Sequence, residues 1–277
     1  MNDPLVSTDW LAAHIGDRNV IVVDATWFMP QALRNPRAEF EAAHLPGAVF
    51  FDIDAVADTS SGLPHMLPSP ETFATAVAAM GIGDQTTVIA YDANGLIASA
   101  RLWWTLRAMG HDTVEVLDGG LTKWRSEGRA LESGAAFPRA TATFTPKFRP
   151  ELVRSFDQVK TNTADVVDAR PGPRFRGEVA EPRAGLKSGH MPGSKSLPSS
   201  ELVTADGRLK SVDDLYPLFR AAGVDLSAPV IASCGSGVTA CMLALGLARL
   251  GIEDAPVYDG SWTEWGGRDD APVETSR

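Results

Sequence analysis

The 277-residue chain has only two cysteines, Cys234 and Cys241. Two thiols make no disulfide framework for a chain of this length, and they lack the companions of a structural zinc site. Long apolar runs are also missing. The longest candidate, 242–250, already contains Arg249, whereas about 18 apolar residues are needed to cross a bilayer. The opening MNDPLVSTDWLAAHIGD shows no basic stretch leading into an apolar one, so no secretory leader is expected. Positive charge is in deficit: 25 Lys and Arg face 35 Asp and Glu, a formal net charge of −10, which argues against tracking nucleic-acid phosphates. An anionic small molecule must then be met by a local group of cations. Neither common glycine-rich phosphate loop is found, nor a metal-ligating motif, so no cofactor and no metal are expected. The expectation is a soluble, cytoplasmic chain with no membrane and no nucleic-acid partner.

What is there is a globular composition, 44% hydrophobic and 22% charged, enough for one large core or two ordinary ones. It is written twice. Asn19-Val-Ile-Val-Val-Asp24-Ala is matched by Ala164-Asp-Val-Val-Asp168-Ala, and Glu41-Ala-Ala-His44-Leu-Pro-Gly47 by Lys187-Ser-Gly-His190-Met-Pro-Gly193. Thr87-Val-Ile-Ala-Tyr-Asp92 is matched by Pro229-Val-Ile-Ala-Ser-Cys234, and Val116-Leu-Asp118-Gly-Gly by Val257-Tyr-Asp259-Gly-Ser. The four offsets are 144, 146, 142 and 141, in order and with little drift, so the chain is a duplication. Short β-branched runs alternating with helical patterns predict an α/β fold: two tandem domains, each a parallel sheet with helices on both faces. The predicted boundaries are 1–134 for the first copy, 135–150 for a proline-bearing linker and 151–277 for the second copy. The linker's phenylalanines predict that it packs along a surface.

In parallel α/β sheets ligands bind beyond the carboxyl ends of the strands. Cys234 stands at such an end, and Asp92 holds the matching place in the first copy, so the copies share a fold but not a chemistry. After Cys234 come Gly235, Ser236, Gly237, Val238 and Thr239, then an apolar helical stretch. Glycines let successive N–H groups turn inward, and the helix start adds its positive end, which predicts an anion cradle around the sulfur. A free cysteine has a pKa of about 8.5, and lowering such a value by ~2 units takes about 2.7 kcal/mol. A helix end alone supplies ~0.3–1 kcal/mol, so a few amides at about 1.5–3 kcal/mol each must do the rest. Cys241, two helical turns on, reads as core packing.

In its duplication, its single cysteine loop and its Cys-Gly-Ser-Gly-Val-Thr-Ala motif, the chain resembles the rhodanese superfamily along nearly its whole length. The resemblance implies two rhodanese-type domains with only the second catalytic, and sulfur transfer through a persulfide on Cys234. Thiosulfate-using relatives carry basic residues directly after the cysteine. Gly235 and Ser236 are neutral, which favours 3-mercaptopyruvate as donor over thiosulfate, with a thiol, cyanide or a thioredoxin-like protein as acceptor. Residues 169–195 hold six basic residues against two acidic ones, and arginine forks suit carboxylates. The resemblance assigns substrate binding to Arg174 and Arg183, with Arg176 a less defined third. It also implies a Ser236–His65–Asp54 relay for the proton that pyruvate needs, Asp52 being the competitor two residues from Asp54 on the same strand face. His65 stands in a Pro-rich loop present in one copy only, whereas His44 and His190 belong to matched turns and read as architectural, and His14 and His111 have no motif. A cysteine phosphatase would need an arginine six residues after the cysteine, where Ala240 stands. The other readings are a thiosulfate sulfurtransferase and, more remotely, a non-catalytic redox or persulfide sensor.

Overall fold

The computed structural model describes residues 3–276. In the first half the strands are β1 (Leu5–Val6), β2 (Val20–Asp24), β3 (Val49–Phe50), β4 (Thr87–Tyr91) and β5 (Val114–Leu117). In the second they are β6 (Val153–Arg154), β7 (Asp165–Asp168), β8 (Lys195–Ser196), β9 (Val230–Ser233) and β10 (Val257–Tyr258). The sheets run β1-β5-β4-β2-β3 and β6-β10-β9-β7-β8, the same permutation twice, and every pairing is parallel. Parallel neighbours need crossovers, and these carry the helices onto the sheet faces. This is why β2 and β9 are buried along their whole length and read as continuous apolar runs instead of alternating ones. The cores follow the repeat. One collects Val20, Val22, Ile89, Tyr91 and Trp124, and the other Ile231, Tyr258, Trp262 and Trp265. Each such side chain contributes roughly 1.5–3 kcal/mol on burial.

The chain forms two compact units that are not contiguous in sequence. One comprises Met1–Ala57, Pro68–Arg149 and Thr204–Leu209; the other Asp58–Leu67, Pro150–Val203 and Lys210–Arg277. The stretch carrying His65 thus groups with the second unit although it is encoded in the first copy. The stretch joining the copies lies along the first unit. Phe144 is buried against Phe73 and His111 at 5.8 and 5.6 Å between ring centres, Thr145 binds Asp84 through N–H (2.6 Å) and Oγ1 (2.9 Å), and Lys147 N–H reaches Met109 O at 2.8 Å. Phe137 in the same stretch stays 74% exposed. The matched His-x-Pro-Gly turns have matching surroundings. His44 stacks on Phe40 and bonds its carbonyl through Nδ1 at 2.8 Å; His190 does the same with Phe175. Among the described residues no helix is long and apolar enough to cross a membrane.

Candidate functional site

The register of the second sheet assembles the site. Asp168 at the end of β7 pairs with Ser233 at the end of β9, and Ala169 N–H bonds Ser233 O at 2.8 Å. The Asp168-Ala169-Arg170 turn therefore lies beside Cys234, the next residue of the chain. The loop then runs through Gly237, whose φ of +78° only glycine takes without strain, into the helix Ala240–Arg249. Cys234 is 1% exposed. Gly235 and Thr239 of the same loop are half-buried. Ser236 is buried within the loop. Cys241 is buried and directs its thiol to Gly237 O at 3.3 Å, in keeping with a packing role.

In the first copy the matching loop surrounds a carboxylate. At the place of Cys234 it has Asp92, whose Oδ1 accepts from the N–H groups of Asn94 and Leu96 (both 3.0 Å), and whose Oδ2 accepts from Ala98 N–H (2.9 Å), Ser99 N–H (2.9 Å) and Ser99 Oγ (2.8 Å). Gly95, with φ +87°, stands where Gly237 stands in the second copy. A buried carboxylate is thus held by five hydrogen bonds, four of them from the backbone of a loop whose second copy is headed by a thiol.

Sequence reasoning missed Ser261. It has φ +48°, a conformation that costs roughly 1–2 kcal/mol for a residue with a side chain, and the first copy has Gly120 there with φ +52°. Ser261 Oγ donates to Tyr258 O at 2.7 Å, accepts from Cys234 N–H at 3.1 Å and stands 4.0 Å from Cys234 Sγ. Nearby, Thr263 grips Gly235 O with both N–H (2.8 Å) and Oγ1 (2.6 Å). The signal was in the repeat: a glycine in one copy and a serine in the other, inside an otherwise matched turn. Asp259 of the same turn accepts from Leu67 N–H at 2.6 Å and so anchors the stretch carrying His65. An Asp58–Met66 bridge closes that stretch.

His65 is buried and also has positive φ, +60°, a strained backbone of the kind that collects at functional sites. Its Nε2 lies 3.3 Å from an Nη of Arg183. Guanidinium only donates, so in this contact Nε2 is the acceptor. Arg174, 19% exposed at its side chain, ion-pairs with buried Glu181 through Nη2 and, at 3.2 Å, through Nε. Its guanidinium lies against the cysteine loop: a Cβ placed on Gly235 would come within 3.2 Å of it. Arg176 instead pairs with Glu178 on the surface at 2.7 Å. Asp54 belongs to the first unit, where its Oδ2 accepts from Trp27 Nε1 at 3.0 Å. Residues Ile53–Val56 form a short helix, which corrects the placing of Asp52 and Asp54 on one strand face; Asp52 caps that helix by accepting from the N–H groups of Asp54 and Ala55 at 3.1 Å.

Fold and site together define a duplicated parallel α/β protein whose second copy carries a thiol at the head of the loop that surrounds a carboxylate in the first. The model of the rhodanese-like domain matches residues 7–127 and again 151–268. The chain is 45% identical to the 3-mercaptopyruvate sulfurtransferase of Escherichia coli K12, covering 97% of both chains. It is 43% identical to the mitochondrial thiosulfate/3-mercaptopyruvate sulfurtransferase 1 of Arabidopsis thaliana, over 99% of this chain and 79% of the relative. The crystal structure of SseA from Escherichia coli, described as a 3-mercaptopyruvate sulfotransferase, superposes with a TM-score of 0.86 at 42% identity, covering 94% of this chain and 99% of that one. The chain belongs to the rhodanese-like family and is a tandem-domain sulfurtransferase.

Proposed function

We propose that the protein moves sulfur from 3-mercaptopyruvate to a thiol or cyanide acceptor through a persulfide on Cys234. One observation carries the reading. Position 234 is where the same loop, in the first copy, holds a carboxylate with five hydrogen bonds. By that register the N–H groups of Ser236, Val238 and Ala240 answer to those of Asn94, Leu96 and Ala98, and Gly235, Gly237 and Thr239 complete the loop. An anionic sulfur at 234 gains these three backbone donors, first as thiolate and then as persulfide, while Cys241 stands where Ser99 supplies the other two in the first copy.

In the first half-reaction Cys234 thiolate attacks the donor's sulfur. The S–S bond forms as the C–S bond breaks, and the electron pair leaves on carbon as the pyruvate enolate. The proton that sat on the donor thiol moves to that carbon, giving pyruvate and leaving the persulfide anionic. Ser236 and His65 carry this proton in our assignment. Arg174 and Arg183 hold the donor's carboxylate and ketone. In the second half-reaction an acceptor thiolate or cyanide takes the outer sulfur and Cys234 returns as thiolate, a step open to a small thiol or a thioredoxin-like protein. Neutral Gly235 and Ser236 favour this donor over thiosulfate, and two free thiols fit a reducing cytoplasm.

The test is intact mass after exposure to 3-mercaptopyruvate. Wild type gains one sulfur and Cys234→Ser gains none; a sulfur on the serine variant would sink the assignment. Turnover compared on 3-mercaptopyruvate and thiosulfate decides the donor.

A further inference from the structure

Beside the cysteine loop lies a line of four charges whose carboxylates are fully withdrawn from water. Asp168 accepts from Arg170 Nε (2.9 Å) and Nη2 (2.7 Å); Arg170 Nη1 reaches Glu181 at 2.8 Å; Glu181 binds Arg174 through Nε and Nη2. The side chains of Asp168, Arg170 and Glu181 are 0%, 1% and 2% exposed. Arg170 is held further by Gly189 O at 2.8 Å and by the Trp262 ring, 4.2 Å below its guanidinium. Two negative and two positive charges balance. Buried ion pairs of this kind return little stability over apolar packing, so fold stability alone does not account for three linked pairs beside a nucleophile.

The duplication sharpens the point. Asp24-Ala25-Thr26 matches Asp168-Ala169-Arg170, and Asn35-Pro36-Arg37-Ala38 matches Glu181-Pro182-Arg183-Ala184. In the first copy Asn35 caps a helix by accepting from Ala38 N–H at 3.1 Å. In the second copy the corresponding residue is a carboxylate turned inward between two arginines. Thr26 replaces Arg170 and, at the offset of 144, Pro30 stands for Arg174. The copy without the thiol keeps the aspartate, Asp24, and lacks the other three charges.

We infer that Glu181 is a positioning residue for the sulfur donor: it holds the Arg174 guanidinium against Gly235, and Arg170 with Asp168 holds Glu181. Binding through Nε and Nη2 leaves Arg174 with the N–H groups of Nη1 and one of Nη2 for a substrate carboxylate. Gly235 leaves room for that edge beside the sulfur. Without the Glu181 charge, Arg174 faces the like charge of Arg170 and swings away.

This rests on the donor reading above, and the experiment separates the two. Steady-state kinetics with 3-mercaptopyruvate and cyanide are run on wild type, Glu181→Gln, Arg174→Ala and the double variant. Glu181→Gln raises KM for 3-mercaptopyruvate about tenfold to a hundredfold with kcat little changed, as expected for a lost charge-assisted contact. In the Arg174→Ala background the same change alters kcat/KM by less than about twofold. Losses that multiply in the double variant, or a fall in kcat at constant KM, overturn the role of Glu181 alone. Unchanged KM in Arg174→Ala overturns the arginine assignment, and an inactive wild type the donor reading, each taking this role with it. Should Glu181→Gln not fold, Glu181→Asp serves in the same cycle, keeping the charge but withdrawing it from Arg174 by one methylene.

Discussion

Ser261 is a serine where the backbone asks for glycine, and the matched position in the first copy is Gly120. The strain of positive φ, roughly 1–2 kcal/mol, persists only where something opposes its removal. Here that is the hydrogen bond Ser261 Oγ accepts from Cys234 N–H. Ser261→Gly relieves the strain and loses two bonds, to Tyr258 O and from Cys234 N–H, worth about 1 kcal/mol each, so thermal stability changes little. The backbone of Cys234, however, loses its tether, and kcat/KM falls about tenfold to a hundredfold, the usual penalty for a misplaced reacting group. A melting curve and a kinetic run on one preparation check both halves. A large loss of stability with full turnover would make Ser261 a folding residue only. His65 has the same strained backbone, and its signal in the sequence was weaker, a lone histidine in an unmatched loop.

At the scale of elements, the cysteine loop and its first-copy twin differ in what heads them. Asp92 supplies its own anion to the donors that surround it, so the first loop is self-filled. Asp92→Asn turns one acceptor oxygen into an N–H₂ group. If that group replaces Oδ2, it faces the N–H of Ala98, the N–H of Ser99 and the Ser99 hydroxyl. Unfolding free energy then falls by about 2–4 kcal/mol through unsatisfied donors, while sulfur loading on Cys234 persists in the folded protein. Chemical denaturation followed by intact mass after donor exposure measures the two effects. Strands, cysteine loop and matched turns were legible in the sequence because each is local: a run of β-branched residues, a glycine at a left-handed position, a repeated tetrapeptide. The charge line through Glu181 was not. Its members come from a strand end, a short helix and a loop, and only the fold reveals that the carboxylate turns inward instead of capping a helix as Asn35 does. The resemblance ranked Arg176 below Arg174 and Arg183; in the fold Arg176 pairs with exposed Glu178, whereas Arg174 lies against the cysteine loop.

At the scale of the whole molecule the duplication predicts contiguous halves, whereas the compact units take in 58–67 and 204–209 from the opposite copies. No local pattern encodes such an exchange; it rests on single long-range bonds such as Leu67 N–H to Asp259 and Leu209 N–H to Asp118 (2.9 Å). The copies also differ in how they hold the aspartate that ends the second strand of each sheet. Asp168 has Arg170; Asp24 has only Thr26 and Tyr91. Burial therefore pushes Asp24 up to about 6, its hydrogen bonds to Thr26 and Tyr91 offsetting the shift in part and the nearby Asp92 charge adding to it. Because the folded value lies above the unfolded one, the native state holds this proton where the unfolded chain has lost it. The resulting stability is fully present below the unfolded value near 3.8 and is lost as pH rises through about 6. A shift of about 2 units corresponds to about 3 kcal/mol. Asp24→Asn has no proton to lose, so its stability relative to wild type rises by about that amount between about pH 4 and about pH 7 and is flat above. Urea unfolding of both proteins across this range measures the difference. A constant offset would mean that Asp24 titrates in the fold as it does in the unfolded chain, and that its lack of an arginine has no consequence for stability.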